Sequence, residues 1–313
     1  MQPIVVLAGG VGAARFLQGV CAAMPMRDLT IVGNVGDDTE VAGLYVSPDL
    51  DTVLYTLTGQ IDEERGWGVR GDSARALERT RALGHDAWFW LGDLDIGLHL
   101  ARTEWLRSGL RLSAVTERLS QALGLPDHLL PATDDRLRTI IETRGGDLDF
   151  QTYYVRRGHR DDVVGIRCEG TDTAAPAAGV VDAISHAAAI LIAPSNPLIS
   201  IGPILAVAGI RDALSTRRAP CVAVSPIVGG RALRGPAADM MRTLGHDPSP
   251  VGVADIYAGL IDALVIDDVD AALAAELGRH GISVTVTDTI MGDAAARQHL
   301  ATVALEAAGI RTV

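Results

Sequence analysis

Cysteine, aromatic residues and long apolar runs are all scarce in this chain of 313 residues. Its three cysteines, Cys21, Cys168 and Cys221, lie far apart without metal-ligand spacing. That excludes a disulfide framework or zinc site and leaves each as a small buried apolar residue. No apolar run approaches the ~18 residues of a membrane span, and the amino terminus enters its first strand too early for a cleavable signal. The expectation is a cytoplasmic chain with no membrane partner. Repeats and low-complexity tracts are also missing. Positive charge is in deficit, with 27 Lys and Arg against 39 Asp and Glu and a formal net charge of −12. This balance argues against nucleic acid as a partner, because duplex binding comes largely from neutralising phosphates. A small anionic ligand remains open, provided that local donors or a carboxylate-held divalent cation receive it.

What is present is globular: 48% hydrophobic residues against 21% charged. The length suits one large α/β domain or a domain with a substantial insertion. Val5-Val6-Leu7-Ala8 reads as a buried strand that breaks into Gly9-Gly10-Val11-Gly12-Ala13 and opens a helix through Arg15, Phe16 and Leu17. Glycines there let the backbone approach a bound group, and the first-turn N–H groups favour an anion such as phosphate. The spacing satisfies neither G-x-G-x-x-G nor G-x-x-x-x-G-K-[ST], so a purely structural turn is the other reading.

A second strand, residues 29–32, ends in Gly33-Asn34-Val35-Gly36-Asp37-Asp38, where open α/β sheets place ligand groups. A turn held by Asp and Gly is the alternative. Ser47-Pro48-Asp49-Leu50-Asp51-Thr52 reads as a helix start, capped by Ser47 or Asp49, that leaves one Asp facing a site. A glycine-rich loop follows with Arg65, Trp67 and Arg70, and Ser73 is expected to cap a helix through Leu83 with Arg75, Arg79 and Arg81 solvated. Trp88-Phe89-Trp90 stands out in a chain with 4% aromatic residues, as core or as a stacking surface for a flat ring. Asp93 and Asp95 precede a helix on which His99 and Arg102 share a face with Asp95; a solvated face is the alternative.

Helical pattern continues over 112–123, and Asp134-Asp135 forms another acidic pair. Residues 138–143 and 147–156 read as a hairpin around Gly145-Gly146. The region from about 60 to 180 breaks strict βα alternation and reads as an inserted subdomain of the single 1–313 domain. Alternation then returns, with a helix over 180–187 and a strand over 189–193 that ends in Pro194-Ser195-Asn196-Pro197. A strand over 221–226 leads into a basic glycine-rich loop over 227–235 that carries Arg231 and Arg234, either a diphosphate contact or a linker. Strands over 263–267 and 283–289 and a helix over 293–308 complete the core.

Eight strings, in order over nearly the whole chain, resemble the 2-phospho-L-lactate transferase family. They are the turn from Gly9 to Leu17, Asn34-Val35-Gly36-Asp37-Asp38, Pro48-Asp49-Leu50-Asp51-Thr52, Arg65-Gly66-Trp67-Gly68, Leu91-Gly92-Asp93, Pro131-Ala132-Thr133-Asp134-Asp135-Arg136, Ala193-Pro194-Ser195-Asn196-Pro197 and Ser225-Pro226-Ile227. The resemblance implies a Rossmann-like α/β fold, a mostly parallel sheet with helices on both faces and an inserted α+β region, in a homodimer. It also implies Mg²⁺-dependent transfer of a phosphorylated acid from a guanosine diphosphate diester, bearing lactyl, enolpyruvyl or glyceryl, to the ribityl hydroxyl of the deazariboflavin Fo, with release of GMP. Carried over by motif, Gly9, Gly10, Gly12, Ala13, Ser195 and Asn196 would hold the guanosine diphosphate. Asp37 and Asp49 would be metal ligands. Asp51 and Trp90 would touch Fo, and Asn34, Asp93 and Arg231 complete the candidate contacts. Because a hydroxyl nucleophile needs its proton removed or oriented, one Asp of the 49/51 pair, Asp51 foremost, is the candidate base. The rival readings are a nucleotide-sugar-binding regulator of the same fold and a dinucleotide-dependent oxidoreductase, the latter opposed by the absent glycine fingerprint.

Overall fold

The computed structural model describes residues 2–125, 128–233 and 235–311. Short apolar, β-branched runs become seven strands of one sheet: β1 (Ile4–Ala8), β2 (Leu29–Gly33), β3 (Leu129–Pro131), β4 (Ala189–Ile192), β5 (Cys221–Val224), β6 (Ala263–Asp267) and β7 (Ser283–Thr287). Their order is β7-β6-β5-β4-β1-β2-β3, with every pairing parallel. All five residues of β1 are buried, as a strand covered on both faces requires. Leu7 pairs with Val32 on one side and Ile192 on the other, so β1, β2 and β4 end level. The chain runs from β1 outward through β2 and β3, then returns to the other side of β1 at β4. The reversal between β1 and β4 opens a crevice at the strands' carboxyl ends, where such sheets bind ligands.

Helices surround the sheet. In α1 (Gly10–Ala23), Phe16, Leu17 and Val20 are fully buried, each contributing about 1.5–3 kcal/mol of apolar burial. Its Gly19 lies flush against the last helix, Ala294–Ala307: a Cβ there would stand 2.0 Å from the Arg297 carbonyl oxygen. Next to α1 packs α2 (Pro48–Leu57), with Pro48 in its first turn. No helix among the described residues is long and apolar enough to cross a membrane.

The segment from about 60 to 180 carries α3 (Arg75–Ala82), α4 (Asp93–Arg107) and α5 (Leu112–Ala122). It returns β3 to the main sheet, then adds a three-stranded antiparallel sheet of Gly146–Asp149, Arg138–Thr143 and Val163–Glu169. Three local expectations are corrected. The hairpin's second strand stops at Asp149, whose carboxylate accepts from the Thr152 N–H and hydroxyl and turns the chain into a wide helical turn, Thr152–Arg156. Ser73 does not cap α3: its hydroxyl donates to Asp93, and Asp93 itself accepts the Ala76 N–H. Ser47 precedes α2, yet its hydroxyl donates to Asp38 rather than to the helix.

Candidate active site

The loops at the carboxyl ends of β1, β2, β4, β5 and β7 enclose a cleft of about 600 Å³, with the middle segment forming its far wall. On its floor two carboxylates come from different elements, Asp37 after β2 and Asp49 in the first turn of α2. Both are buried. Burial pushes Asp37 well above the ordinary carboxylate range, and the charge of Asp49 adds to this. Burial likewise raises Asp49 to about 6, while the Asn34 amide and the Gly10 N–H pull it down. Asp37 Oδ1 is buried with no hydrogen-bond partner. Two crowded carboxylates with an unserved oxygen suit a hard divalent cation. Among the described residues no group of three or more His, Cys, Asp or Glu is placed to hold a metal. Two carboxylates match what Mg²⁺ takes from a protein, the rest of its shell being water and ligand phosphate oxygens.

The glycine turn explains how Asp49 is reached. A Cβ on Gly9 would lie 2.9 Å from Asp49 Oδ2 and 2.8 Å from Ser200 Cβ, and one on Gly12 would lie 2.4 Å from the Pro194 carbonyl oxygen. These two glycines bring the site's loops together, rather than simply clearing room for a ligand. Gly10, at φ 72°, takes the left-handed conformation that glycine adopts without strain.

Beside Asp49, one helical turn of α2 carries Asp51 and Tyr55 toward the inner face of α4. That face is polar although buried: Asp95, His99 and Arg102 are all enclosed, which removes the solvated-face alternative. Arg102 donates from Nη1 to Asp51 Oδ2 at 2.9 Å and from Nη2 to Asp51 Oδ1. His99 Nδ1 lies 3.2 Å from Arg102 Nη1, and His99 Nε2 lies 3.2 Å from Asp95 Oδ1. Tyr55 donates to the same Asp95 oxygen at 2.6 Å. Burial pushes the Asp95 carboxyl up, but His99, Tyr55 and the Arg102 charge outweigh it and hold the group below the usual carboxylate range. For Arg102, burial acts against its charge and the Asp51 carboxylate more than restores it.

The far wall is aromatic. Trp67 and Trp90 meet edge to face with centroids 5.3 Å apart, and the Arg65 guanidinium sits 4.3 Å from the Trp90 centroid. From the wide turn, Tyr154 stacks on Phe150 at 5.3 Å with an 11° interplanar angle. Of the three adjacent aromatics, Phe89 and Trp90 face the cleft, while Trp88 packs edge to face on Phe89.

Of the residues singled out in the sequence, Gly9, Gly10, Gly12, Asp37, Asp49, Asp51, Trp90, Ser195 and Asn196 line this cleft together. Four do not. Ala13 is buried in α1. Asn34 lies behind Asp49, with its amide spent on Asp49 Oδ2, the Ile199 carbonyl and the Gly36 N–H. Asp93 is occupied by the start of α3, and Arg231 is exposed on a small hairpin. Arg234 lies outside the described residues. Ser195 faces the cleft, yet its hydroxyl donates to the Gly9 carbonyl, pinning one loop to the other. Both oxygens of Asp51 accept from Arg102, which holds the carboxylate still. Sequence reasoning passed over Arg15, Tyr55, Phe150 and Tyr154 as cleft residues. Tyr55 carried a signal, lying one turn beyond Asp51 on the same helix face.

A seven-stranded parallel sheet in Rossmann-like order, with an acidic and aromatic cleft at its switch point, defines an α/β protein whose cleft opens at the sheet's carboxyl edge. The family model described as 2-phospho-L-lactate transferase CofD matches residues 4–304. A phosphoenolpyruvate transferase of Streptomyces griseus is 43% identical over 311 residues, covering 97% of this chain and 98% of that protein. A 2-phospho-L-lactate transferase of Methanococcoides burtonii is 38% identical over 288 residues, covering 92% and 94%. Among solved structures, a member of the UPF0052 family from Bacillus halodurans shares the fold, with TM-score 0.63, 17% identity and coverage of 97% and 99%. The chain belongs to the 2-phospho-L-lactate transferase CofD family and is a transferase.

Proposed function

We propose that this transferase moves a 2-phospholactate or phosphoenolpyruvate moiety from its guanosine diphosphate diester to the ribityl hydroxyl of Fo, releasing GMP, in coenzyme F-420 biosynthesis. The observation that carries the reading is the Asp37–Asp49 pair, crowded and buried at the mouth of the glycine turn, facing an aromatic wall across one cleft. In the reaction the ribityl oxygen bonds to the phosphorus bearing the acid, the bond from that phosphorus to the bridging oxygen breaks, and GMP leaves with the electron pair. The hydroxyl proton passes to solvent. Mg²⁺ bound at Asp37 and Asp49 would neutralise charge on the diphosphate. N–H groups of the α1 turn and Arg15 receive the phosphates, and Trp67, Trp90 and Arg65 offer stacking faces for the deazaflavin ring. Asp51, fixed by Arg102, accepts a hydrogen bond from the acceptor's hydroxyl and orients it.

The test is incubation with Fo, Mg²⁺ and each of the lactyl, enolpyruvyl and glyceryl diphosphoguanosines. GMP and a phosphorylated deazaflavin should appear in equal amounts with at least one donor. Absence of GMP with all three would overturn the reading and leave the nucleotide-sugar-binding regulator.

A further inference from the structure

The inner face of α4 is polar although buried. Asp51, Tyr55, Asp95, His99 and Arg102 make a continuous network under the cleft. A buried ion pair of this kind is often no better for stability than apolar side chains of the same volume. The network's donors and acceptors have one consistent assignment. A guanidinium only donates, so His99 Nδ1, 3.2 Å from Arg102 Nη1, must accept. His99 Nε2 lies 3.2 Å from Asp95 Oδ1 without a hydrogen bond, and that oxygen takes the Tyr55 hydroxyl. Arg102 Nη1 has two hydrogens, one for His99 and one for Asp51.

We propose that Arg102 and His99 are positioning residues: His99 Nδ1, accepting from Arg102 Nη1, aims the guanidinium so that Asp51 stands at a fixed point of the cleft floor for the acceptor alcohol. This rests on the transfer reading above. His99 borders the cleft, with its Nδ1 taken up by Arg102.

The discriminating variants are His99→Asn, His99→Gln and Arg102→Lys. Asn keeps an acceptor where Nδ1 stood, whereas Gln puts its amide where Nε2 stood and loses the acceptor toward Arg102. The KM for Fo should rise roughly tenfold or more in His99→Gln and Arg102→Lys. It should stay within about threefold of the parent in His99→Asn, with the donor KM within about twofold in all three. Equal Fo KM values in the Asn and Gln variants, or donor KM values that rise in parallel, would overturn the proposal. Long-range ¹H–¹⁵N spectra of the parent protein labelled at histidine give a second readout independent of turnover. An unprotonated Nδ1 at His99 supports the assignment, and a protonated one overturns it. A parent that releases no GMP with any donor defeats the transfer reading instead. A parent that turns over while the three variants keep its Fo KM defeats the positioning roles alone.

Discussion

The side-chain nitrogen of Asn34 stands 2.9 Å from Asp49 Oδ2, tying the loop after β2 to the first turn of α2. Asn34→Ala removes that donor and also the acceptor for the Gly36 N–H. Denaturant titration at neutral pH should show a loss of about 1–3 kcal/mol, the usual result of leaving buried polar groups unserved. The Mg²⁺ concentration for half-maximal GMP release should rise as well. An unchanged Mg²⁺ midpoint would show that Asn34 does not support the metal.

Asp37→Asn separates stability from function. Burial and the neighbouring Asp49 charge disfavour the ionised Asp37, so a neutral amide of nearly the same shape should leave the metal-free protein at least as stable as the parent. With guanosine diphosphate present, Mg²⁺ should raise the parent's melting temperature and fail to raise that of Asp37→Asn or Asp49→Asn. Saturation at a hundredfold over Kd corresponds to about 2.7 kcal/mol. A parent melting curve indifferent to Mg²⁺ would count against the site.

Gly12→Ala places a Cβ 2.4 Å from the Pro194 carbonyl oxygen. Two backbone segments must separate to admit it, so the expected cost is about 1–3 kcal/mol in a urea titration. Activity should fall further than stability, because the same shift parts the turn after β1 from the loop after β4.

The acid limb of stability should report Asp95. Its folded-state pKa lies below the ordinary value because His99, Tyr55 and Arg102 outweigh burial. The unfolded chain therefore takes the proton more readily. The contribution is complete above about pH 4 and is lost as the pH falls through the folded-state pKa. Urea midpoints measured below about pH 4 should drop less steeply in Asp95→Asn than in the parent. Parallel slopes would remove Asp95 from the acid transition.

Trp90→Leu tests the aromatic wall. Losing the ring that meets Trp67 and carries Arg65 should raise the Fo KM roughly tenfold and spare the donor KM, since stacking contributes about 0.5–1.5 kcal/mol and the Arg contact a similar amount. Equal increases for both substrates would place the wall in the cleft's general shape instead.

The strands were legible because residues buried on both sheet faces must be continuously apolar, and Val5-Val6-Leu7 and Ile190-Leu191-Ile192 show that directly. The acidic and glycine motifs were legible too, and most converge on the cleft. Local sequence did not reveal how each motif is used. Gly12 answers to Pro194, far along the chain. Asp93 serves α3, and Asn34 serves Asp49. The polar face of α4 resembled a solvated surface because charge alone does not distinguish water from a buried partner on another helix. The strand Val163–Glu169 alternates buried and exposed positions only weakly, so its place beside Arg138–Thr143 depended on pairing across the segment.

The contact between Gly19 and Arg297 joins two helices that lie far apart in the sequence. The helix that opens the ligand site is therefore made well before the helix that covers it. Until then α1 has an uncovered apolar flank, and β1 lacks its neighbour β4 until residue 192 has been made. β1 and α1 thus cannot complete their packing as they are made. The packing around the glycine turn is finished only once residues 294–307 have been made.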